Sequence, residues 1–331
     1  MITSKGLIAI EYLTKYPKHT TSGIARLMHN DYPSEFTSFE KARNAVRFRR
    51  DEIKNKKTKT DNTNFKRTPM EKKQALNRYL KSDYKELKPF ILPKKNNNIL
   101  FLSDIHLPYH DMNAVDLAIK YGKENKVNTV YLNGDILDFY QLSRFTKDRR
   151  LRDFASEIEM GRDFLDYLKK ELKADIFYKI GNHEDRYENY IKQNAPELLG
   201  VGDFDFASIL RLKEKNIQLI DGKQMAYAGK LAMLHGHEFG HSVFSPVNPA
   251  RGLYMRSKES SIIGHHHQSS EHSEKSLSGV VVTAWSVGCL CGLKPDYYPF
   301  NKWNHGFAHI TTDNNGNYKV KNIRIIENAI V

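Results

Sequence analysis

Cysteine is almost missing from this chain of 331 residues, which holds only Cys289 and Cys291. They stand one residue apart, too close for an ordinary disulfide and too few for a thiolate metal cage. Both read as core or loop residues of a protein from a reducing cytoplasm. No uninterrupted apolar run reaches about 18 residues, which excludes a hydrophobic spanning helix. The N-terminal stretch MITSKGLIAIEYLTKYP puts Lys5, Glu11 and Lys15 where a secretory leader needs its apolar segment, so neither export nor membrane insertion is expected. No internal repeat is visible. What remains is a globular composition, 40% hydrophobic and 27% charged, long enough for one large α/β domain with a small appendage.

Acidic residues are scarce at one end. Residues 1 to 98 carry 23 Lys and Arg against 10 Asp and Glu, whereas residues 99 to 331 carry 29 of each, so the net charge of +13 belongs to the N-terminal third. That asymmetry describes a basic module joined to a neutral domain, and polyanions are the usual partners of such a module.

Three helices are expected within residues 1–54. The third opens on a capping box, Thr37 and Glu40, and places Phe39, Ala42, Val46 and Ile53 on an apolar stripe. Arg43, Arg47, Arg50 and Lys54 recur at the same period one position further round. Two readings stay open: a helix-turn-helix-like unit whose basic face contacts nucleic acid, or a small helical domain with a solvated basic face. Residues 55–97 read as a basic linker with a short helix around 70–87.

From residue 98 to 331 apolar runs alternate with amphipathic helices. NILFLSD, VNTVYLNGD, DIFYKIGNH and KLAMLHGH each end in polar residues, as buried parallel-type strands with functional loops at their ends would. The tail, GVVVTAW, GFAHITTD and NYKVKNIRII, is expected to form a second sheet packed on the first. Five of these ends deliver hard oxygen or imidazole donors: Asp104 and His106, Asp135, Asn182, His235, and His265 with His267. Seven donors without thiolate exceed one tetrahedral ion and imply two divalent metals, of Mn, Fe, Zn or Ni type.

The order of these motifs, D-x-H, G-D, G-N-H-E, H-G and G-H-x-H, resembles that of the calcineurin-like metallophosphoesterases over about residues 98–330. The resemblance implies a four-layer α/β/β/α sandwich with a dimetal centre between the sheets, which the small all-α N-terminal domain read from residues 1–54 precedes. It assigns Asp104, His106 and His267 to one ion, Asn182, His235 and His265 to the other, and Asp135 to a bridge. Manganese is the ion expected. A hydroxide shared by the ions would attack phosphorus in line. His183 would stabilise the phosphoryl oxygens and protonate the leaving group, oriented by Asp138. Glu184 is expected to support the loop or cap the following helix. Arg144, Arg149 and Arg150, in the loop SRFTKDRRLRD, are candidate phosphate contacts.

The expected activity is therefore phosphoester hydrolysis, with nucleic acid as substrate through the basic module. A phosphomonoesterase acting on phosphoprotein or small molecules is the alternative, weakened because GDILDFYQ lacks the Arg-Gly that follows the second aspartate in related protein phosphatases. A nucleic-acid-binding protein with a non-catalytic phosphoesterase scaffold is the third reading.

Overall fold

The protein is seen in a computed structural model that describes residues 3–64, 83–144, 153–239 and 247–331, with side chains except those of 53–64. It divides into two compact units, Met1–Lys85 and Glu86–Val331. No helix among the described residues is long and apolar enough to cross a membrane.

The first unit holds α1 (Ser4–Lys15), α2 (Thr21–Asp31) and α3 (Phe39–Asn64). Thr3 and Thr20 precede the first two helices in extended backbone, and their hydroxyls accept from the amides of Gly6 and Gly23. Caps of this kind contribute about 1 kcal/mol each. Ala9, Ile24, Met28, Phe36, Ala42 and Val46 close a core among the three helices. Tyr12 Oη donates to Asp31 at 2.6 Å, pinning α1 to α2.

Two expectations for α3 need correction. The reciprocal box of Thr37 and Glu40 does not form. The cap falls one residue later, at Ser38, whose carbonyl accepts from the amides of Lys41 and Ala42, while Glu40 turns to Arg43 at 3.1 Å. The helix also continues to Asn64 rather than ending near residue 54. Residues 55–64 contain neither Gly nor Pro, and extending a formed helix requires no apolar content.

In the second unit a seven-stranded sheet has the order β13-β12-β11-β2-β3-β4-β5, and a six-stranded sheet the order β1-β6-β7-β8-β10-β9. The strands are β1 (Phe90–Ile91), β2 (Asn98–Leu102), β3 (Thr129–Leu132), β4 (Asp175–Lys179), β5 (Ile217–Ile220), β6 (Ala226–Ala228), β7 (Leu231–Met233), β8 (Ser261–Ile263), β9 (Ser270–Lys275), β10 (Val281–Ser286), β11 (His305–Thr312), β12 (Tyr318–Ile326) and β13 (Ala329–Ile330). Alternation along the central strands builds the layers. Ile99, Phe101, Tyr131 and Phe177 face Ala226, Met233 and Ile262 of the other sheet. Their neighbours Leu100, Leu102, Val130 and Ile176 face outward onto α4 (Met112–Glu124) and α5 (Phe154–Leu172). On the far side, α6 (Asp185–Asn194) having left the end of β4, α7 (Pro249–Ser257) covers Ala232, Ile263 and Ala284. The result is the expected α/β/β/α sandwich.

Membership of the sheets differs from the sequence reading. β7, from KLAMLHGH, lies in the second sheet, and β5 takes the fourth parallel place beside β4. In the tail only β10 joins the second sheet; β11 runs antiparallel to β2, with Ile310 opposite Ile99, so β11–β13 extend the first sheet. β1 pairs with β6, which makes residues 90 and 91 an edge strand of the second sheet rather than part of a linker. Pairing partners far apart in sequence decide these memberships, and an apolar run does not announce them. Most of the helix expected around 70–87 lies outside the described residues.

Candidate metal centre

All five motif loops open at the C-terminal ends of β2, β3, β4, β7 and β8, so the two sheets jointly surround one spot. The backbone there is unusual. Asp104 (φ 56°), His106 (52°), Asp135 (54°), His265 (65°) and His267 (55°) all adopt the left-handed conformation. For non-glycine residues this costs on the order of 1–2 kcal/mol each, and a cluster of such costs marks a functional site. Two glycines make the approach possible: a Cβ on Gly181 would collide with Asp135, and one on Gly264 with Ser103 and Asp104.

The polar atoms turned inward form two groups that share Asp135. His267 Nε2 lies 3.2 Å from both Asp104 Oδ1 and His106 Nε2. His235 Nε2 lies 3.1 Å from Asn182 Oδ1 and 3.3 Å from Asp135 Oδ2. The same Asp135 oxygen is 3.8 Å from His106 Nε2 and from His183 Nε2. Donor atoms of Asp135, His235 and His265 all lie within 4.8 Å of one another, as do those of Asp135, His106 and His183. Asp104 Oδ1 is buried without a hydrogen-bond partner.

Around this core the rings are fixed from behind. His106 Nδ1 meets Asp138 Oδ1 at 2.9 Å and His235 Nδ1 meets the Asn133 carbonyl at 2.6 Å. His267 Nδ1 faces Cys291 Sγ at 3.7 Å. With Nδ1 protons directed to acceptors, Nε2 lone pairs are left facing inward, the arrangement of metal-ligating imidazoles. An orphaned carboxylate oxygen, lone pairs converging within 3.2 Å and a shared carboxylate are what a pair of cations requires, and the residues fit a divalent-metal site.

The charges tell the same story. Burial opposes ionisation of Asp135, yet His235 and His183 hold its carboxyl well below the ordinary range. Burial likewise opposes the charge on His235, but Asp135 outweighs it and pushes the ring up to about 10. His265 goes the other way, driven down to about 3 by burial and the neighbouring His235. Without cations the carboxylates draw protons onto selected imidazoles, a need that divalent ions meet instead.

Glu184 stands at the N-cap position of α6, but its side chain supports the bridging loop instead of capping the helix. Its buried carboxylate accepts from the amides of Gly181, Asp135, Ile136 and Leu137 and from Tyr178 Oη at 2.8–3.2 Å. Buried Lys179 similarly holds Glu238 at 3.1 Å, and Glu238 accepts from the amides of His235 and Gly236. Asp138 reaches both His106 and His183, the latter at 3.1 Å, and its backbone carbonyl takes His183 Nδ1 at 2.8 Å.

Some candidates fall elsewhere. Arg144 is exposed, and Arg149 and Arg150 lie outside the described residues. In the N-terminal unit Arg50 donates to Thr21 Oγ1 at 2.9 Å and to the His19 carbonyl, so it ties α3 to the start of α2. Arg43 pairs with Glu40, Arg47 is exposed, and the Lys54 side chain is outside the description. One residue escaped the sequence reading: Arg186, whose Nη2 lies 2.9 Å from His183 Nε2 and whose Nη1 donates to the Asp138 carbonyl at 2.8 Å. Its i,i+3 spacing from His183 at a helix start was the available signal.

Residues 98–285 match the family model described as calcineurin-like phosphoesterase. The gene 54 protein of Mycobacterium phage L5 is 28% identical over 231 residues, spanning 66% of this chain and 90% of that protein. Solved structures with similarity include vacuolar protein sorting 29 from Cryptosporidium parvum, 13% identical with a TM-score of 0.38 over 71% of this chain and 94% of that one. A dimetal phosphatase from Danio rerio is 12% identical, with a TM-score of 0.36 over 69% and 96%.

Proposed function

Since the chain belongs to the calcineurin-like phosphoesterase family, whose model matches more than half of it, we propose that it is a two-metal phosphodiesterase that cleaves nucleic acid. The convergence of three side-chain oxygens, from Asp104, Asp135 and Asn182, with the imidazoles of His106, His235, His265 and His267 carries this reading. Asp104, His106 and His267 would hold one divalent ion, manganese by preference, and Asn182, His235 and His265 the other, with Asp135 reaching both. Bound there, the ions supply Lewis acidity that neutralises phosphoryl oxygens and acidifies water.

His183 and Arg186 do the remaining work. Asp138 receives the Nδ1 proton of His183, so at rest Nε2 accepts from the Arg186 guanidinium. A phosphate offers that guanidinium a charged, bidentate acceptor. Once Arg186 turns to the phosphate, the Nε2 lone pair is free to take a proton from solvent, and the imidazolium so formed passes that proton to the departing alkoxide and returns to the neutral ring. The choice of nucleic acid rests on the basic N-terminal third, with 23 Lys and Arg against 10 Asp and Glu, and on Arg47 exposed along α3.

The test is metal analysis of the purified protein, then turnover with manganese on bis(p-nitrophenyl) phosphate, p-nitrophenyl phosphate, and single-stranded, duplex and RNA strands. Faster hydrolysis of the diester together with strand cleavage is expected. Preference for the monoester, or turnover that survives in an Asp135→Asn, His183→Ala double variant, overturns the reading.

A further inference from the structure

Beside the metal centre a loop from Gly292 to Trp303 displays rings to solvent. Tyr297, Tyr298 and Phe300 are 78%, 51% and 92% exposed within four positions. Trp303 stands behind the two tyrosines, its ring centroid 6.4 Å from Tyr297, 6.1 Å from Tyr298 and 4.1 Å from His267.

This display is built rather than loose. Asn301 Nδ2 donates to the carbonyls of Leu293 and Tyr298 at 2.8 and 2.7 Å, and its Oδ1 accepts from the Trp303 amide at 2.9 Å. At the base, the Asn304 amide donates to the His267 carbonyl at 2.9 Å, so the loop is anchored on a candidate metal ligand. Pro295 and Pro299 restrict the backbone further. Apart from those prolines, every apolar side chain from Lys294 to Trp303 is aromatic, and Lys294 and Lys302 flank the rings with Asp296 as the single acid.

Exposed rings at this density mark a binding surface. A fixed set of aromatic faces, bordered by lysines and anchored on the residue that would bind the scissile phosphate's metal, has the composition of a platform for unpaired bases. Resting on the nucleic-acid reading above, we infer that Tyr298, backed by Trp303, and the exposed Phe300 stack the nucleobases next to the scissile phosphodiester, so that the substrate is single-stranded DNA or RNA. A duplex buries its base faces in its own stack and offers the platform none.

Trp303 provides the probe, because the other tryptophan, Trp285, lies buried between the sheets. Full-length protein with manganese at about 200 mM salt, where purely phosphate-driven binding is weakened, is titrated with cleavage-resistant phosphorothioate oligothymidylate, oligouridylate, and an abasic strand of equal length and charge. The base-bearing strands should quench the emission and the abasic strand should not; the two base-bearing arms separate DNA from RNA. Tyr298→Ala and Phe300→Ala should each raise Kd about 10-fold or more. Phe300→Tyr should bind as the wild type does, and Phe300→Leu should not. Equal binding of the abasic strand, or wild-type affinity in Phe300→Leu, overturns the platform, and cleavage of unmodified strands in that case leaves the nuclease reading standing. A wild type that hydrolyses bis(p-nitrophenyl) phosphate but cuts no strand overturns the nuclease reading and the platform with it.

Discussion

At the scale of single residues, the support of the centre is as informative as its ligands. Glu184 satisfies four backbone amides around the bridging loop. Glu184→Ala leaves them buried and unpaired, so a loss of about 3 kcal/mol or more is expected in denaturant melts, together with a lower metal content. Glu157 makes a different prediction. It is 2% exposed, and burial raises its carboxyl from the ordinary 4.5 to about 8. Between those values the folded chain holds a proton that the unfolded chain has released, so this contribution to stability is full below pH 4.5 and is lost as pH rises through about 8. Glu157→Gln should flatten that decline, and its melting temperature relative to the wild type should increase from pH 5 to pH 9. If His183 supplies the leaving-group proton, His183→Ala should cut turnover of alkyl diesters by about 10²- to 10⁴-fold. p-Nitrophenolate departs without that proton, so its release should suffer far less.

At the scale of elements, the helices and strands of the sandwich were largely legible because each is a short apolar run or an amphipathic stripe closed by polar residues. Which sheet a strand joins was not. β2 and β7 read alike as runs, and only pairings such as Ile310 with Ile99 separate them. The loops at the strand ends were legible through their paired motifs, whereas the roles of Arg186, Glu238 and Cys291 depend on partners far away in sequence, Asp138, Lys179 and His267. The basic face of α3 shows the same limit: four cations share one period, yet Arg50 is a tie to α2 while Arg47 stands exposed. Arg50→Ala should therefore destabilise the N-terminal unit by about 1–2 kcal/mol. Arg47→Ala should leave stability within about 0.5 kcal/mol while weakening strand binding. Thermal melts and a filter-binding assay on the two variants distinguish the roles.

At the scale of the whole molecule, charge and chemistry occupy different units. Removing residues 1–85 should shallow the dependence of strand affinity on salt, in proportion to the phosphates that this unit neutralises, while hydrolysis of small diesters persists. The centre is also divided by origin. Asp104, Asp135 and Asn182 hang from one sheet, and His235, His265 and His267 from the other. Cations held across that seam would act as rivets between the two halves of the sandwich, and chelation should lower the melting temperature as well as abolish turnover. Amide exchange should then quicken first along the mouth where the halves meet, because a clasp withdrawn from both sides leaves the sheets held there only by ties such as His235 to the Asn133 carbonyl and Lys179 to Glu238.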